Sequence, residues 1–230
     1  MRRLRPFAAL VCLLLAVSGC GGGSPAGTPK PKPLTTAQAT TIAAAGVLLP
    51  ADLPGYTGEA QTADPSDAAD QVEFDKCLGV PTSTYLAQDQ GKSYTKGDLE
   101  IDSSSQVLTT APMAKAEFDA ADSAKGTACL KAQATAAAGA DVSNAAVTVT
   151  TQSVTVPGAD GALYFDFVLT GTAQGQQVEV RGSQAIARVG QTQVELDSFA
   201  TAPPLLTTDE MVALLTKVVA RVKTAAKAAS

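Results

Sequence analysis

The sequence predicts an α+β fold: an antiparallel β-sheet, ending in a C-terminal four-stranded meander, packed by helices. Three observations predict it. Leu163, Phe165, Phe167 and Leu169 alternate strictly with Tyr164, Asp166 and Val168, which is the period of a strand. Turn-forming runs at Pro157-Gly158-Ala159-Asp160-Gly161, at Gly171 to Gly175 and at Gly190-Gln191 then join successive strands as hairpins. Finally, Met211, Leu214, Leu215, Val218 and Val222 form a helical stripe, introduced by Thr207 and Glu210 in capping-box spacing. The inner face of a meander needs a cover, and this helix supplies one. An amphipathic basic helix lying on a membrane is the alternative use of the same stripe.

The remaining elements follow in order. Thr36 to Leu49 reads as a helix, closed by the Pro-rich turn Pro50-Ala51-Asp52-Leu53-Pro54-Gly55. Ser66 is an N-cap for a helix reaching Leu78, where Phe74, Cys77 and Leu78 share a face and Gly79 ends the element. Leu99 and Ile101 alternate with Asp98, Glu100 and Asp102 in a half-buried strand continuing through Val107. Ala111 to Ala121 is a helix with Ala114, Phe118 and Ala121 inward, and Cys129 and Leu130 sit on a further helix ending before Gly139. Val147 and Val149 begin a strand. Val154 and Val156 continue it with the period shifted, which predicts a bulge near Thr151. Val178 to Val189 is a long strand with a bulge or bend at Gly182.

The N-terminus sets the location. Arg2, Arg3 and Arg5 precede an apolar run from Phe7 to Val17, too short to span a bilayer, and Ser18-Gly19 lead into Cys20. Val17-Ser18-Gly19-Cys20 resembles the lipobox of bacterial lipoproteins. The resemblance implies cleavage before Cys20, lipid attachment to Cys20, and a domain held at the outer face of the cell membrane; an ordinary secretory signal with Cys at the cut is the alternative. Residues 1–19 are then a signal peptide, 20–35 a lipidated, Gly/Pro-rich tether, and 36–228 one α+β domain. Without the three signal arginines, 14 basic residues face 22 acidic ones, a net charge near −8 that argues against nucleic acid as a partner.

Cysteine usage is simple. Cys12 leaves with the signal, Cys20 is the lipid site, and Cys77 and Cys129 remain to form one disulfide in an oxidising compartment. They lack the Cys-x-x-Cys spacing of a redox pair. There is no histidine, which removes Ser-His-Asp and Cys-His catalysis and the usual zinc sites. Ser93-Tyr94-Thr95-Lys96 matches the Ser-x-x-Lys acylation motif, but its companion motifs are absent and Gly91 and Gly97 bound it. Asp98, Glu100 and Asp102 line one strand face, read as solvated, with a cation site as the alternative. Leu163, Phe165, Phe167 and Leu169 are candidates to line an apolar pocket, the alternative being core. No cofactor, no metal and no enzymatic activity are expected.

The segments Leu48-Leu49-Pro50-Ala51-Asp52-Leu53-Pro54-Gly55-Tyr56, Asp75-Lys76-Cys77-Leu78-Gly79, Ala128-Cys129-Leu130 and Ala187-Arg188-Val189-Gly190 occur in that order. In this the chain resembles secreted actinobacterial lipoproteins of the LpqN type, and the extracellular sensor domain of PknH-type serine/threonine kinases, over roughly residues 36 to 226. The high Ala, Gly and Thr content suits such a GC-rich source. The resemblance implies a PsbP-like fold and a non-catalytic envelope role, binding a protein or a cell-wall ligand. A lipid carrier, using an apolar cavity between sheet and helices, is the alternative. The sensor domains carry two disulfides where this chain can form one, and sensing here would act through a partner.

Overall fold

The computed structural model describes residues 33–61, 67–139, 142–200 and 205–230. The signal peptide, Cys20, most of the tether and Ser66 lie outside the described residues. The helices are α1 (Thr36–Ala45), α2 (Asp67–Leu78), α3 (Ala111–Ala121), α4 (Ala124–Ala138) and α5 (Thr208–Ala229). The strands are β1 (Thr57–Ala60), β2 (Tyr85–Gln90), β3 (Lys92–Lys96), β4 (Leu99–Leu108), β5 (Ser143–Ser153), β6 (Gly161–Ala173), β7 (Gln176–Val189) and β8 (Thr192–Ala200). The sheet runs β1-β3-β4-β8-β7-β6-β5, with β2 also beside β4, and every pairing is antiparallel. This is the α+β architecture the sequence predicts. The meander β5–β8 is extended on one side by β4 and its partners.

The hairpins of the meander are set by turn chemistry. Val189 pairs with Thr192 across Gly190-Gln191, and Gly190 takes φ +61°. Ala173 pairs with Gln176 across Gln174-Gly175, both at positive φ, as a two-residue turn of the primed kind requires. Two expectations are corrected. β5 pairs regularly from Ala146 to Ser153, and its irregularity falls between Ser143 and Ala146, not at Thr151. The period shift at Val154 arises because the chain leaves the sheet there; Val154 and Val156 join the core beneath α5. Gly182 is not a bulge either, since β7 stays in register with both neighbours. A Cβ at Gly182 would stand 2.7 Å from the Phe199 ring, so glycine makes room for that ring.

Both faces of the sheet are covered. One carries Ala162, Tyr164, Ala185, Ala187, Val194, Leu196, Ile101 and Val107, packed under α1 and α5. The α5 stripe Met211, Leu215, Val218, Val219 and Val222 is fully buried there. The capping box reads as expected: Glu210 N–H donates to Thr207 Oγ1 at 3.3 Å and Thr207 N–H to Glu210 Oε2 at 2.8 Å. Helix α1 stops at Gly46, short of the predicted Leu49, and its exit is tied to α5. Arg221 donates to Val47 O at 2.7 Å and pairs with Asp52 at 2.9 Å. No helix among the described residues is long and apolar enough to cross a membrane.

The opposite face lies under α2, α3 and α4. Cys77 on α2 and Cys129 on α4 form the disulfide, with Cα atoms 5.8 Å apart. It closes a loop of 52 residues. In the chain-entropy picture such a closure stabilises by about 4 kcal/mol.

Candidate functional site

Pairing across an antiparallel sheet places partner residues on the same face. Leu163, Phe165, Phe167 and Leu169 therefore face α3 and α4, not α5. Leu163 and Phe165 are fully buried with Phe118, Ala121 and Leu130, and Phe74, Val149, Phe167 and Ile186 pack around them. Leu169 joins Ala138 and Val147 in a neighbouring apolar cluster. The four candidates line the apolar half of this face, under α4 and the Phe118–Ala121 end of α3. The space beneath α5 belongs to the other face.

The second half of the same face is acidic. Asp102 on β4 stands directly opposite Asp197 on β8, and Ser104 opposite Glu195. Gln184 on β7 stands opposite Asp197 from the other side. Like charges directly across a ladder are destabilising in water and more so when buried, yet Asp102 and Asp197 are each 5% exposed. Gln184 Nε2 bridges the acids, donating to Glu195 Oε1 and, at 3.2 Å, to Asp197 Oδ1. Gln61 Nε2 donates to Asp102 Oδ1 at 3.1 Å. Gln184 Oε1 is buried and has no hydrogen-bond partner among the described residues.

Helices α2 and α3 bring two further acids to the wall. Asp75 is fully buried at the end of α2; its Oδ1 accepts from Gln71 Nε2 at 2.9 Å and its Oδ2 from Ser83 N–H at 2.8 Å. Glu117 on α3 accepts from Ser83 Oγ at 2.8 Å. Tyr85 lies among Glu117, Asp75 and Glu195, its hydroxyl close to Ser83 but without a well-formed hydrogen bond. Among the described residues, no lysine or arginine forms an ion pair with Asp75, Glu117, Glu195 or Asp197. Arg188 sits over the Phe118 ring, 5.8 Å from its centre, and pairs with Asp160 instead.

Burial without a counter-cation raises these carboxyls. Desolvation brings Glu117 up to about 7, against a Ser83 hydrogen bond that favours the charged form. Glu195 also rises to about 7, chiefly by desolvation. Asp197 is pushed well above the usual carboxylate range by burial, then by the charges of Glu195 and Asp102. Asp75 is raised by burial, with its hydrogen bonds from Ser83 and Gln71 opposing. Desolvation and the same acids raise the Tyr85 phenol. Glu195, Gln184 and Tyr85 are only half-buried, so this acidic cluster reaches solvent.

The other motifs resolve plainly. Of the strand acids Asp98, Glu100 and Asp102, Asp98 is in the β3–β4 turn and Glu100 accepts from Ser93 Oγ at 2.7 Å. Asp102 is buried in the cluster rather than solvated, because helices cover that face. The described residues hold no group of three or more His, Cys, Asp or Glu placed to hold a metal ion. Ser93 and Lys96 lie on strand β3. At that spacing they point to opposite faces, with Lys96 Nζ 5.4 Å from the Tyr56 ring centre. Glu195 and Asp197, at the centre of the cluster, were not singled out by the sequence; their alternation with Val194 and Leu196 reads as an ordinary outward strand face.

The chain folds as an antiparallel sheet between two helical layers, with one mainly apolar face and one half-acidic face. No protein-family model matches the sequence, and neither does any curated protein. Among solved structures the chain is similar to the extracellular domain of PknH from Mycobacterium tuberculosis, at 13% sequence identity and a TM-score of 0.47. The match covers 84% of this chain and 98% of that one.

Proposed function

We propose that this protein is a membrane-anchored envelope lipoprotein whose folded domain binds, without catalysis, a basic group of another envelope component at the acidic cluster. The observation that carries the reading is the pair of half-buried Glu195 and buried Asp197 on one strand face, bridged by Gln184, with no lysine or arginine among the described residues paired to either. A structural surface would place such acids in water, where they cost nothing. A cationic group reaching the cluster would supply the missing counter-charge and relieve the repulsion. The lipobox and the tether support the anchoring half of the reading. Cys20 is the proposed attachment point, at the extracytoplasmic face.

A direct test uses the full anchored chain in nanodiscs of neutral lipid, titrated with a lysine-rich decapeptide and its glutamine analogue at pH 7.5. The lysine peptide is expected to bind, and the Glu195→Gln/Asp197→Asn variant to lose at least tenfold in affinity, corresponding to 1.4 kcal/mol. Equal binding by the variant would assign the attraction to the net negative surface alone and overturn the cluster as the site. Anchoring is read separately: Cys20→Ala should move the chain from membrane to supernatant.

A further inference from the structure

We propose that β5 is a self-association edge, pairing antiparallel with the β5 of a second copy to make one continuous sheet. Seven of the eight strands carry at least one charged residue: Glu59, Asp89, Lys92, Glu100, Asp166, Arg181 and Asp197 are examples, one from each. β5, Ser143–Ser153, carries none. Among the described residues it is also the sheet's outer strand, beyond β6, with no strand paired to its far side. Edge strands are normally guarded against pairing by charge, proline, brevity or a bulge. The opposite edge, β1, is guarded in that way, being four residues long with Glu59 in it. β5 has no proline, and its irregularity is confined to its start, leaving Ala146 to Ser153 in unbroken register.

The occupant that suits this edge is a second copy. Two copies of an acidic chain repel, so contact between them favours a surface without charge. On a two-fold axis β5 would face itself, and any charged residue near the axis would meet its own kind; Ala146, Thr148, Thr150 and Gln152 avoid that. These side chains are exposed, and threonine pairs across strands are favourable. The axis of such a pairing stands perpendicular to the sheet, so both copies turn the same face the same way. Their α1–α5 layers, and the chain at Pro33 leading into α1, then lie on one side. Cys20 to Pro33 spans at most roughly 45 Å extended, so two anchors reach one membrane. That geometric point rests on the anchoring proposed above; the edge itself does not.

Cross-linking of the full lipidated chain in membranes is the test, with single cysteines at Ala146, Thr148, Thr150 or Gln152, the native pair already being bridged. One or two adjacent positions should give a covalent dimer on mild oxidation, while Glu59→Cys on the other edge should stay monomeric. In detergent, light scattering should show twice the chain mass, falling to one chain mass for Thr148→Lys, whose side chain points to solvent. Absence of cross-links at all four positions, equal cross-linking at Glu59→Cys, or a dimer that survives Thr148→Lys would overturn the inference. A Cys20→Ala chain that dimerises in solution upholds it independently of the anchor. An anchored chain that stays monomeric defeats it while leaving the anchor standing.

Discussion

The two faces of the sheet are built on different physics. Under α1 and α5 the face carries no buried acid: Ile101, Val107, Ala185, Val194, Leu196, Met211 and Leu215 are all buried, with the small side chains of Ser103, Ser105, Ser183 and Ser198 among them, and apolar burial holds the layer. Under α2, α3 and α4 the face is divided, apolar beside α4 and acidic beside α3, and a disulfide fastens two of the helices. A layer resting partly on buried carboxyls gains less from burial and depends more on the covalent link. The buried acids are thus confined to one side, and the α5 side is free of them.

The largest expected effect tests that dependence. Replacing Cys77 and Cys129 by serine should cost about 4 kcal/mol of unfolding free energy, read by urea denaturation. Amide exchange should quicken in α2 and α4 well before α5. Equal acceleration in α5 would erase the proposed independence of the two faces. Next comes the α5 side: Leu215→Ala, at a fully buried position of α5, should cost about 3 kcal/mol through lost burial and a cavity. The same loss should appear at pH 5 and pH 8, because no acid of the cluster faces it.

The smaller effect belongs to the acidic side. The folded-state values of Glu117 and Glu195 are raised from 4.5 to about 7, and that of Asp197 is raised too. The folded protein therefore holds protons that the unfolded chain releases. Stability from this source is fully present below the unfolded values and is lost as pH rises through the folded ones. Between pH 5 and 8 the protein should lose on the order of 2 kcal/mol, allowing for water at half-buried Glu195. Asp197→Asn should flatten this slope and be more stable than the parent at pH 8. A chain more stable at pH 8 than at pH 5 would show that the cluster is neutralised by a cation.

Legibility in the sequence followed the same division. The meander and α5 could be read because Leu163 to Leu169 alternates without a break and Thr207 to Glu210 spells its own cap. Strands β1, β2 and β3 could not. Tyr85 to Gln90 is half-buried along its whole length and mixes Tyr and Leu with Gln and Asp, so no period shows. Lys92 to Lys96 buries only Tyr94. The cluster was hidden for a related reason. Asp102, Glu195 and Asp197 alternate with apolar residues as acids on a wet face do, and only the helices lying over them, distant in sequence, bury the two aspartates and half-bury Glu195. The clue was the count of helices: three of them besides α1 and α5 needed a face of their own.

One contact made early in the chain carries a mechanical consequence. Gln38, in the first turn of α1, donates to Ala229 O at the last turn of α5 with a separation of 2.6 Å. Arg221 holds the other end of α1 through Ala45 O and Val47 O. Any pull arriving through Pro33 is therefore borne lengthwise by two clamped helices, whose contacts must slide together before they part. The sheet, which would peel strand by strand if tugged at an edge, is spared that load.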